Sequence, residues 1–404
     1  MQLEIAAGIA DLRFDRGLQT FPEILSAYLD YNPKVAQPEK KVVANGPLSP
    51  ADIIYAAGAL PYDFSTHQNL QAIFSGNNSL SQQAVDMLVS SEFNPWYQVM
   101  LGAFLYDQNQ IPIDLFSTSI GEFDDQLTKS FQLMARARSK AFIDWEVPRH
   151  DAPSEALALD FLKKEIKQFI LEISAQTGHN TGDHDLSRAV HAGNLLRGDM
   201  TEIDKLLAAE VVPLSGLEYY LLQVMLGDFA RNPDRLHSQF SLLIDELKRR
   251  VENHESAPGI RTSPVRVYIM GDETQELHLY NSIEDAGGVL VGCDFRMPLY
   301  YGLVNETEKP VDSLARWVWN MPNNLPLQER IEFELLRIKM QKPDAVILSN
   351  VVGSRHLTGI ERLVKDSLKD QLGIPVLSIE TTLPKENVDK IDYQINALMQ
   401  MIGG

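Results

Sequence analysis

Residues 265–295 read VRVYIMGDETQELHLYNSIEDAGGVLVGCDF, and this stretch decides the fold class of the chain. It begins and ends with short apolar runs of the length of buried strands. The second half of the chain has four such runs, at 265–272, 289–295, 344–352 and 374–381. Helical patterns lie at 327–341, 359–373 and about 386–401. This alternation is typical of an open, doubly wound parallel sheet, whose ligand crevice lies beyond the carboxyl ends of its strands.

The first half of the chain has a similar alternation. Its apolar runs lie at 52–60, 113–119 and 141–148, and Pro61 closes the first of them. Helical patterns separate these runs, which predicts a second parallel sheet covered on both faces. The two halves are compatible with a distant duplication, although no sequence repeat is sharp enough to require it.

The remaining segments are mainly helical. Residues 21–31, FPEILSAYLDY, are amphipathic and precede a Pro- and Lys-containing linker. Between the halves the pattern has a helical period, with one apolar stripe made by Leu159, Leu162, Ile166, Phe169, Ile170 and Ile173. Gly178 is a plausible end for that helix. The predicted units are an N-terminal helical segment and linker (1–50), a first α/β domain (51–152), a helical region (153–258) and a second α/β domain (259–404).

The amino-acid composition argues against several classes of protein. The 404 residues carry 36 Lys and Arg against 55 Asp and Glu, a net charge of -19, which argues against general affinity for nucleic acid or anionic lipid. No run of eighteen apolar residues and no export signal is visible, so we expect a cytoplasmic protein without membrane spans. A single cysteine, Cys293, excludes an internal disulfide.

Common catalytic motifs are missing from the sequence. There is no G-x-G-x-x-G after a first strand, no phosphate-binding P-loop and no G-x-S-x-G elbow. Ser117, Ser119 and Ser349 stand at strand ends without a histidine partner in sequence, and we interpret them as caps of the following helices.

A set of short motifs, in a fixed order, gives a more specific signal. They are DIIYAAGALP (52–61), FNPWYQVMLG (93–102), DLFSTSIGEFDDQ (114–126), the helix with Asn194 and Arg197, PLSGLE (213–218), VYIMGD (267–272), DAVILSNVVGSRH (344–356) and GIPVLSIET (373–381). Their order resembles that in the subunits of 2-hydroxyacyl-CoA dehydratases and benzoyl-CoA reductases, which are paired homologous chains of anaerobic metabolism. The resemblance implies an α/β fold with two flavodoxin-like domains, an N-terminal helical segment and a helical insert.

In that family, three cysteines from three strand-end loops hold a [4Fe-4S] cluster that meets the acyl-CoA substrate. The matching positions here are Asn94, Glu122 or Phe123, and Ser354. None is a cysteine, and amide and hydroxyl oxygens are poor ligands for cluster iron, which prefers thiolate. We therefore expect this chain to bind no cofactor of its own, and Cys293, at the end of an apolar strand, to be a core residue.

Other groups at these loops offer alternative chemistry. Glu122, Asp124 and His356 are candidate catalytic residues, and with Asp125 they would suit a hard metal ion such as Mn, Fe or Zn if the loops converge. An acidic loop before a helix more often caps the helix and complements its dipole, and we favour that interpretation over a metal site.

Aromatic side chains suggest where a substrate would bind. Trp96, Tyr97, Tyr300, Tyr301, Trp317 and Trp319 would line a crevice for an acyl-CoA, although most aromatic residues simply fill cores. The candidate substrate contacts are Trp96, Tyr300, Tyr301 and Arg355. Both tyrosines lie in RMPLYYGLVNETEKP (296–310), a long stretch without regular period, of the kind that carries function.

Two functions of different classes follow. In the first, the chain is the cluster-free subunit of a heteromeric dehydratase or reductase and provides scaffold and part of the acyl-CoA site. The resemblance then implies two partners: a homologous cysteine-containing subunit with the [4Fe-4S] cluster, and an ATPase activator that acts on the complex. In the second, the fold serves a different, iron–sulfur-independent reaction that uses polar or metal-binding residues at the same loops. We favour the first, because it accounts for the loss of all three thiolates together.

Overall fold

The structure is a computed structural model that describes residues 12–15, 17–31, 36–46, 48–75, 79–87, 89–106, 113–120, 125–150, 154–274, 276–354 and 359–403. Its strands are β1 (Val42–Asn45), β2 (Leu60–Tyr62), β3 (Leu115–Ile120), β4 (Ala141–Glu146), β5 (Val265–Gly271), β6 (Gly288–Cys293), β7 (Ala345–Val351) and β8 (Val376–Thr381). They form two four-stranded sheets, in the orders β2-β1-β3-β4 and β6-β5-β7-β8. All pairings are parallel, which confirms the predicted α/β class with two flavodoxin-like domains.

The helices cover the sheets and build the insert between the domains. In chain order they are α1 (Phe21–Leu29), α2 (Ala51–Ala56), α3 (Phe64–Ser75), α4 (Ser79–Asp86), α5 (Pro95–Tyr106), α6 (Asp125–Ala137), α7 (Glu155–Thr177), α8 (Asp183–Leu207), α9 (Gly216–Val224), α10 (Pro233–Glu252), α11 (His278–Asp285), α12 (Pro310–Trp319), α13 (Leu327–Gln341), α14 (Glu361–Leu372) and α15 (Val388–Gly403). Short 3₁₀ turns include Met225–Gly227 and Phe229–Arg231. Among these described helices, none combines the length and the apolar character needed to cross a membrane.

Two elements of the first domain differ from the sequence prediction. The apolar run at 52–60 is helix α2 rather than a strand, and only its last residue begins β2. A short run that is buried on all sides has no periodicity to separate strand from helix, which explains the error. The central strand β1 lies in the segment that the sequence assigned to a linker, and its four residues are all buried.

The helical region agrees with the sequence pattern. Helix α7 begins after Ser154, whose side chain accepts a hydrogen bond from the backbone N–H of Leu157. It ends at Gly178, which has the left-handed φ of 72° that a glycine C-cap permits. The buried side chains of α7, α8, α9 and α10 join those of both sheets in one large hydrophobic core. The insert is therefore part of the structure that fixes the two α/β domains relative to each other.

Helix α8 contains two glycines, one closely packed and one with open space around it. Alanine substitution should therefore have opposite effects on stability at the two positions. A Cβ at Gly193 would lie 2.2 Å from Asp52 Oδ1, whereas a Cβ at Gly198 would meet no atom within 4 Å. We expect Gly193→Ala to lower the free energy of unfolding by about 1–3 kcal/mol through overpacking. Gly198→Ala should raise it by roughly 0.5–1 kcal/mol, because alanine is the better helix former. Urea unfolding of both variants tests this prediction. Equal changes in the free energy of unfolding would contradict the close contact between Gly193 and Asp52.

The N-terminal segment is docked on the insert through charged groups. The Asp15 backbone N–H donates to Glu218 Oε1 at 2.5 Å, and Arg250 binds the Asp15 carboxylate. Glu218 is fully buried, and within the described part of the chain its second oxygen, Oε2, has no hydrogen-bond partner. Burial raises the pKa of Glu218 from 4.5 to about 8. The folded protein therefore keeps Glu218 protonated at pH values where the unfolded chain has lost that proton.

This burial predicts a pH-dependent effect of Glu218→Gln. Because the folded pKa lies above the unfolded one, the wild-type protein should lose stability as the pH rises from about 4.5 to about 8. Glutamine does not ionise, so the variant should be more stable than wild type by about 3 kcal/mol at pH 7. The two should converge near pH 4.5. Unfolding curves across this range provide the measurement, with the exposed Glu210→Gln as control. A constant difference at all pH values would contradict the buried, neutral carboxyl.

Candidate functional site

The carboxyl ends of the two sheets face each other, and residues that follow the strands make the contacts between the domains. Asp63, directly after β2, binds Arg296, which follows β6. The Trp96 indole N–H at the start of α5 donates to the backbone oxygen of Glu273, which follows β5, at 2.7 Å. This is the edge at which doubly wound sheets bind ligands. The candidate functional site is therefore the interface between the domains.

Two of the loops singled out by the sequence meet at one side chain, that of Gln126 in the first turn of α6. Its Oε1 accepts the backbone N–H of Asn94 at 2.8 Å, and its Nε2 donates to the backbone oxygen of Gly353 at 3.1 Å. Gly353 has a φ of +84°, and a Cβ there would lie 2.8 Å from Glu92 O and 3.0 Å from Asn94 N. Backbone is thus packed against backbone at this point, and a glutamine amide connects the loops.

The two described positions that match cluster ligands both form internal hydrogen bonds. Asn94 is 6% exposed, and its Oδ1 accepts the backbone N–H of Trp96 at 3.0 Å, which caps α5. The Ser354 hydroxyl donates to Asp272 Oδ1 at 2.9 Å, and Asp272 Oδ2 accepts the Val351 N–H at 3.0 Å. An amide and a hydroxyl already used in this way do not fit a [4Fe-4S] cluster, whose iron needs thiolates. The side chains at these two positions, rather than the fold, make the site unsuitable for a [4Fe-4S] cluster.

Several candidate residues lie outside the described part of the chain. They are Glu122, Phe123, Asp124, Arg355 and His356. Asp125 is described; it is exposed in the first turn of α6, as expected of a residue that complements the helix dipole. Within the described ranges, no three His, Cys, Asp or Glu side chains are grouped so that they could hold a metal ion.

The aromatic candidates are mostly enclosed. Trp96 is 7% exposed, with its N–H bonded to Glu273. Tyr300 is 1% exposed and accepts a hydrogen bond from Gln223 Nε2 at 2.8 Å. Tyr301 is half-buried, stacks on Trp317 and donates its hydroxyl to the Trp317 backbone oxygen at 2.7 Å. The structure thus places Trp96 at the domain interface, Tyr300 against helix α9 of the insert and Tyr301 against helix α12 of the second domain.

Cys293 ends β6 inside the core, which confirms its interpretation as a core residue. Its side chain is 1% exposed and contacts Gln223 Oε1 at 3.3 Å. Burial raises the pKa of the Cys293 thiol well above its usual range. A neutral thiol is neither a good nucleophile nor a metal ligand.

Sequence analysis missed a buried ionic cluster at the centre of the interface. Arg296 Nη1 lies 3.1 Å from Asp63 Oδ2, its Nε lies 2.9 Å from Glu273 Oε2, and its Nη2 donates to Thr66 Oγ1 at 2.6 Å. Arg296 is 1% exposed and Asp63 is fully buried. Burial raises the pKa of Glu273, although Arg296 opposes the shift. The cluster holds two carboxylates of different domains on one guanidinium.

A second buried pair extends this cluster into the insert. Asp228 Oδ2 accepts the Asp63 backbone N–H at 3.1 Å and lies 3.6 Å from Arg231 Nε. Burial raises the pKa of Asp228 to about 6. Phe229, Ala230 and Arg231 are consecutive residues with φ of 50°, 45° and 62°, a left-handed turn that costs non-glycine residues energy. Such strain is typical of functional sites, where the surrounding structure holds it in place.

The Gln126 bridge gives a testable prediction about the interface. Gln126→Ala should lower the free energy of unfolding by about 1–3 kcal/mol, because the Asn94 N–H is buried and would lose its acceptor. Gln132→Ala, on the same helix, should change it by less than about 0.5 kcal/mol, since the hydrogen bond that Gln132 accepts comes from an exposed lysine, Lys129. Chemical unfolding compares the two variants. Hydrogen exchange should also become faster at residues 94 and 353 in Gln126→Ala; unchanged exchange there would contradict the bridge.

Comparison with known proteins gives one match. A family model described as 2-hydroxyglutaryl-CoA dehydratase, D-component, matches residues 48–402, which include the second sheet, the insert and every strand of the first sheet except β1. No curated protein sequence matches the chain.

Proposed function

Because this chain belongs to the 2-hydroxyglutaryl-CoA dehydratase D-component family, we propose that it is a cluster-free subunit of a heteromeric 2-hydroxyacyl-CoA dehydratase or benzoyl-CoA reductase type complex. In this role it provides scaffold and part of the acyl-CoA site. A homologous, cysteine-bearing partner subunit carries the [4Fe-4S] cluster, and an ATPase activator protein acts on the complex.

One observation carries the proposal: the amide of Gln126 connects two of the strand-end loops. The bonds from Asn94 to Gln126 and from Gln126 to Gly353 hold together loops that, in relatives of this fold, hold cluster ligands. The only cysteine, Cys293, is buried with a raised pKa and has no second thiol to act with. These contacts use the side chains of this chain to connect the loops, which supports the proposal of a subunit that assists a partner's chemistry.

Anaerobic purification with and without a cysteine-bearing homologue tests the proposal. The chain alone should be colourless and contain no stoichiometric iron, whereas the co-expressed complex should be brown, with iron and acid-labile sulfide in equal amounts. Turnover of an acyl-CoA should require both chains and the activator. Turnover by the chain alone would contradict the proposal. A stoichiometric metal other than a cluster in the lone chain would instead support the iron–sulfur-independent alternative.

A further inference from the structure

The first described residues of the chain, 12–15, form a short arm without helix or strand structure. The arm lies where the helical insert meets the second domain. It binds α9 and α10 of the insert through Asp15, and α11 of the second domain through Arg13. Terminal segments are usually poorly ordered unless specific contacts hold them, and the arm has such contacts along its whole length.

The side-chain amide of Asn281 recognises the backbone of the arm. Its Oδ1 accepts the Arg13 N–H at 2.8 Å, and its Nδ2 donates to the Arg13 backbone oxygen at 3.1 Å. Paired β-strand residues exchange these same two bonds, and here an asparagine provides them. Two residues further on, the Asp15 N–H donates to Glu218 Oε1. These three bonds involve only the backbone of the arm, so they suit a linear peptide of any sequence.

The two charged side chains of the arm each have an oppositely charged partner. Arg13 Nη2 lies 3.1 Å from Glu284 Oε2, and its Nη1 pairs with Asp285. The buried Asp15 carboxylate is bound by Arg250. Exchange of the two charges would place like charges together at both positions. The pairs therefore select an arginine followed, two residues later, by an aspartate.

The residues between and after this pair narrow the motif. Phe14 packs against the large hydrophobic core and stacks on Phe21, with ring centres 6.4 Å apart. The Gly17 N–H donates to Asp15 Oδ1 at 2.8 Å, and a Cβ at Gly17 would lie 2.8 Å from Arg250 Nη2. A larger residue at position 17 would therefore push Arg250 away from Asp15. The pattern that these contacts select is Arg-aromatic-Asp-x-Gly.

Four side chains form the wall opposite the arm, which we call the arm groove: Glu218, Arg250, Asn281 and Glu284. With the arm in place, Asn281 is 2% exposed and Glu218 is fully buried. Both hydrogen bonds that the structure gives the Asn281 side chain go to the arm. Buried amide and carboxyl groups cost free energy unless they have partners, so the arm groove suits a peptide rather than an apolar surface.

We infer that the arm groove is a recognition site for linear peptides with the pattern Arg-aromatic-Asp-x-Gly, and that residues 13–17 of this chain are its resident ligand. A peptide on another polypeptide takes their place only in competition, because a short tether gives the arm an effective concentration on the order of millimolar. This recognition is separate from the acyl-CoA chemistry of the proposed function and does not depend on it.

Fluorescence anisotropy measures this binding with a labelled peptide of residues 12–20, LRFDRGLQT. The full-length chain carries Arg13→Glu and Asp15→Lys, which place like charges against the arm groove and should expel the chain's own arm. This double variant should bind the peptide saturably. The wild-type chain, whose arm competes, should bind it at least about tenfold more weakly.

Matched controls test the specificity of the arm groove. The peptide LDFRRGLQT has the same composition with the two charges exchanged, and it should bind the double variant at least about tenfold more weakly. Asn281→Ala, added to the double variant, should raise the Kd of LRFDRGLQT about tenfold or more through the loss of two hydrogen bonds. Asn396→Ala should leave that Kd unchanged, since Asn396 is exposed on α15 and donates to Asp392 O of the same helix.

Hydrogen exchange of the wild-type chain gives a second measurement in case the double variant does not fold. LRFDRGLQT at about millimolar concentration should displace the tethered arm and speed exchange at residues 12–15, whereas the charge-exchanged peptide should not. The inference would be overturned by any of three anisotropy results: no saturable binding to the double variant, equal affinity for the two peptides, or an unchanged Kd in Asn281→Ala. Equal exchange rates with the two peptides would overturn it as well.

Discussion

Arg296→Met is expected to lower the free energy of unfolding by about 3–5 kcal/mol, the usual effect of removing one partner from a buried charge pair. Arg296 neutralises Asp63 of the first domain and Glu273 of the second, at 3.1 Å and 2.9 Å. Methionine fills similar volume but leaves both carboxylates without their cation. Because this contact joins the domains, the variant should also show faster hydrogen exchange at the ends of β2 and β5.

The loss should depend on pH. Burial already raises the pKa of Glu273, and removal of Arg296 should raise it further. A carboxyl whose folded pKa lies above the unfolded one loses stability as the pH rises, so the deficit should be larger at pH 8 than at pH 5. The control is Arg316→Met, because Arg316 is 52% exposed and lies 3.2 Å from Glu308. That change should cost less than about 1 kcal/mol. Equal, pH-independent losses in the two variants would contradict the buried cluster.

The fold class could be read from the sequence because the signals that define it are local. The four apolar runs of the second half are all strands, beginning at Val265, Gly288, Ala345 and Val376. The long stripe from Leu159 to Ile173 predicted α7, and the family match over residues 48–402 confirms the resemblance stated from the motif order. Period, length and terminal residues act within one element, so they are visible in one sequence.

The secondary structure of the first domain was harder to predict from the sequence because its central elements are short and almost entirely buried. Strand β1 has four residues, and helix α2 has six, of which Tyr55 alone is not buried. Neither shows an exposed face from which a period could be read. Tertiary contacts decide such segments: Val43 packs in the large core, and Asp52 in α2 pairs with Arg197.

The contacts of the site could not be predicted from the sequence because they join residues that are far apart along the chain. Gln126 and Gly353, or Asp63 and Arg296, are separated by more than two hundred residues. One signal was available: Asp63, Asp228 and Arg296 each stand in an otherwise apolar strand-end or turn segment, where an unpaired charge would be costly. Such residues must have partners, but the sequence does not say which ones.

Arg197→Met should have an effect as large as that of the Arg296 variant, at a different place. Arg197 binds both oxygens of Asp52, at 3.0 Å and 2.6 Å, and donates from Nε to Leu299 O at 3.1 Å. Its guanidinium also lies 4.5 Å from the centre of the Trp317 ring. The side chains of Arg197 and Asp52 are 2% and 1% exposed. Their separation should cost about 3–5 kcal/mol, because a buried carboxylate remains.

Helix α8 offers the control for this prediction. Arg188→Met, on the same helix, removes an arginine that is 72% exposed and lies 3.6 Å from Asp185, and it should cost less than about 1 kcal/mol. Adding Asp52→Leu to Arg197→Met should restore part of the lost stability, since the double variant leaves no buried charge without its partner. Urea unfolding of the two single variants and the double variant measures the coupling. If the double variant were less stable than Arg197→Met, the cost would lie in lost packing against Trp317 rather than in the uncompensated carboxylate.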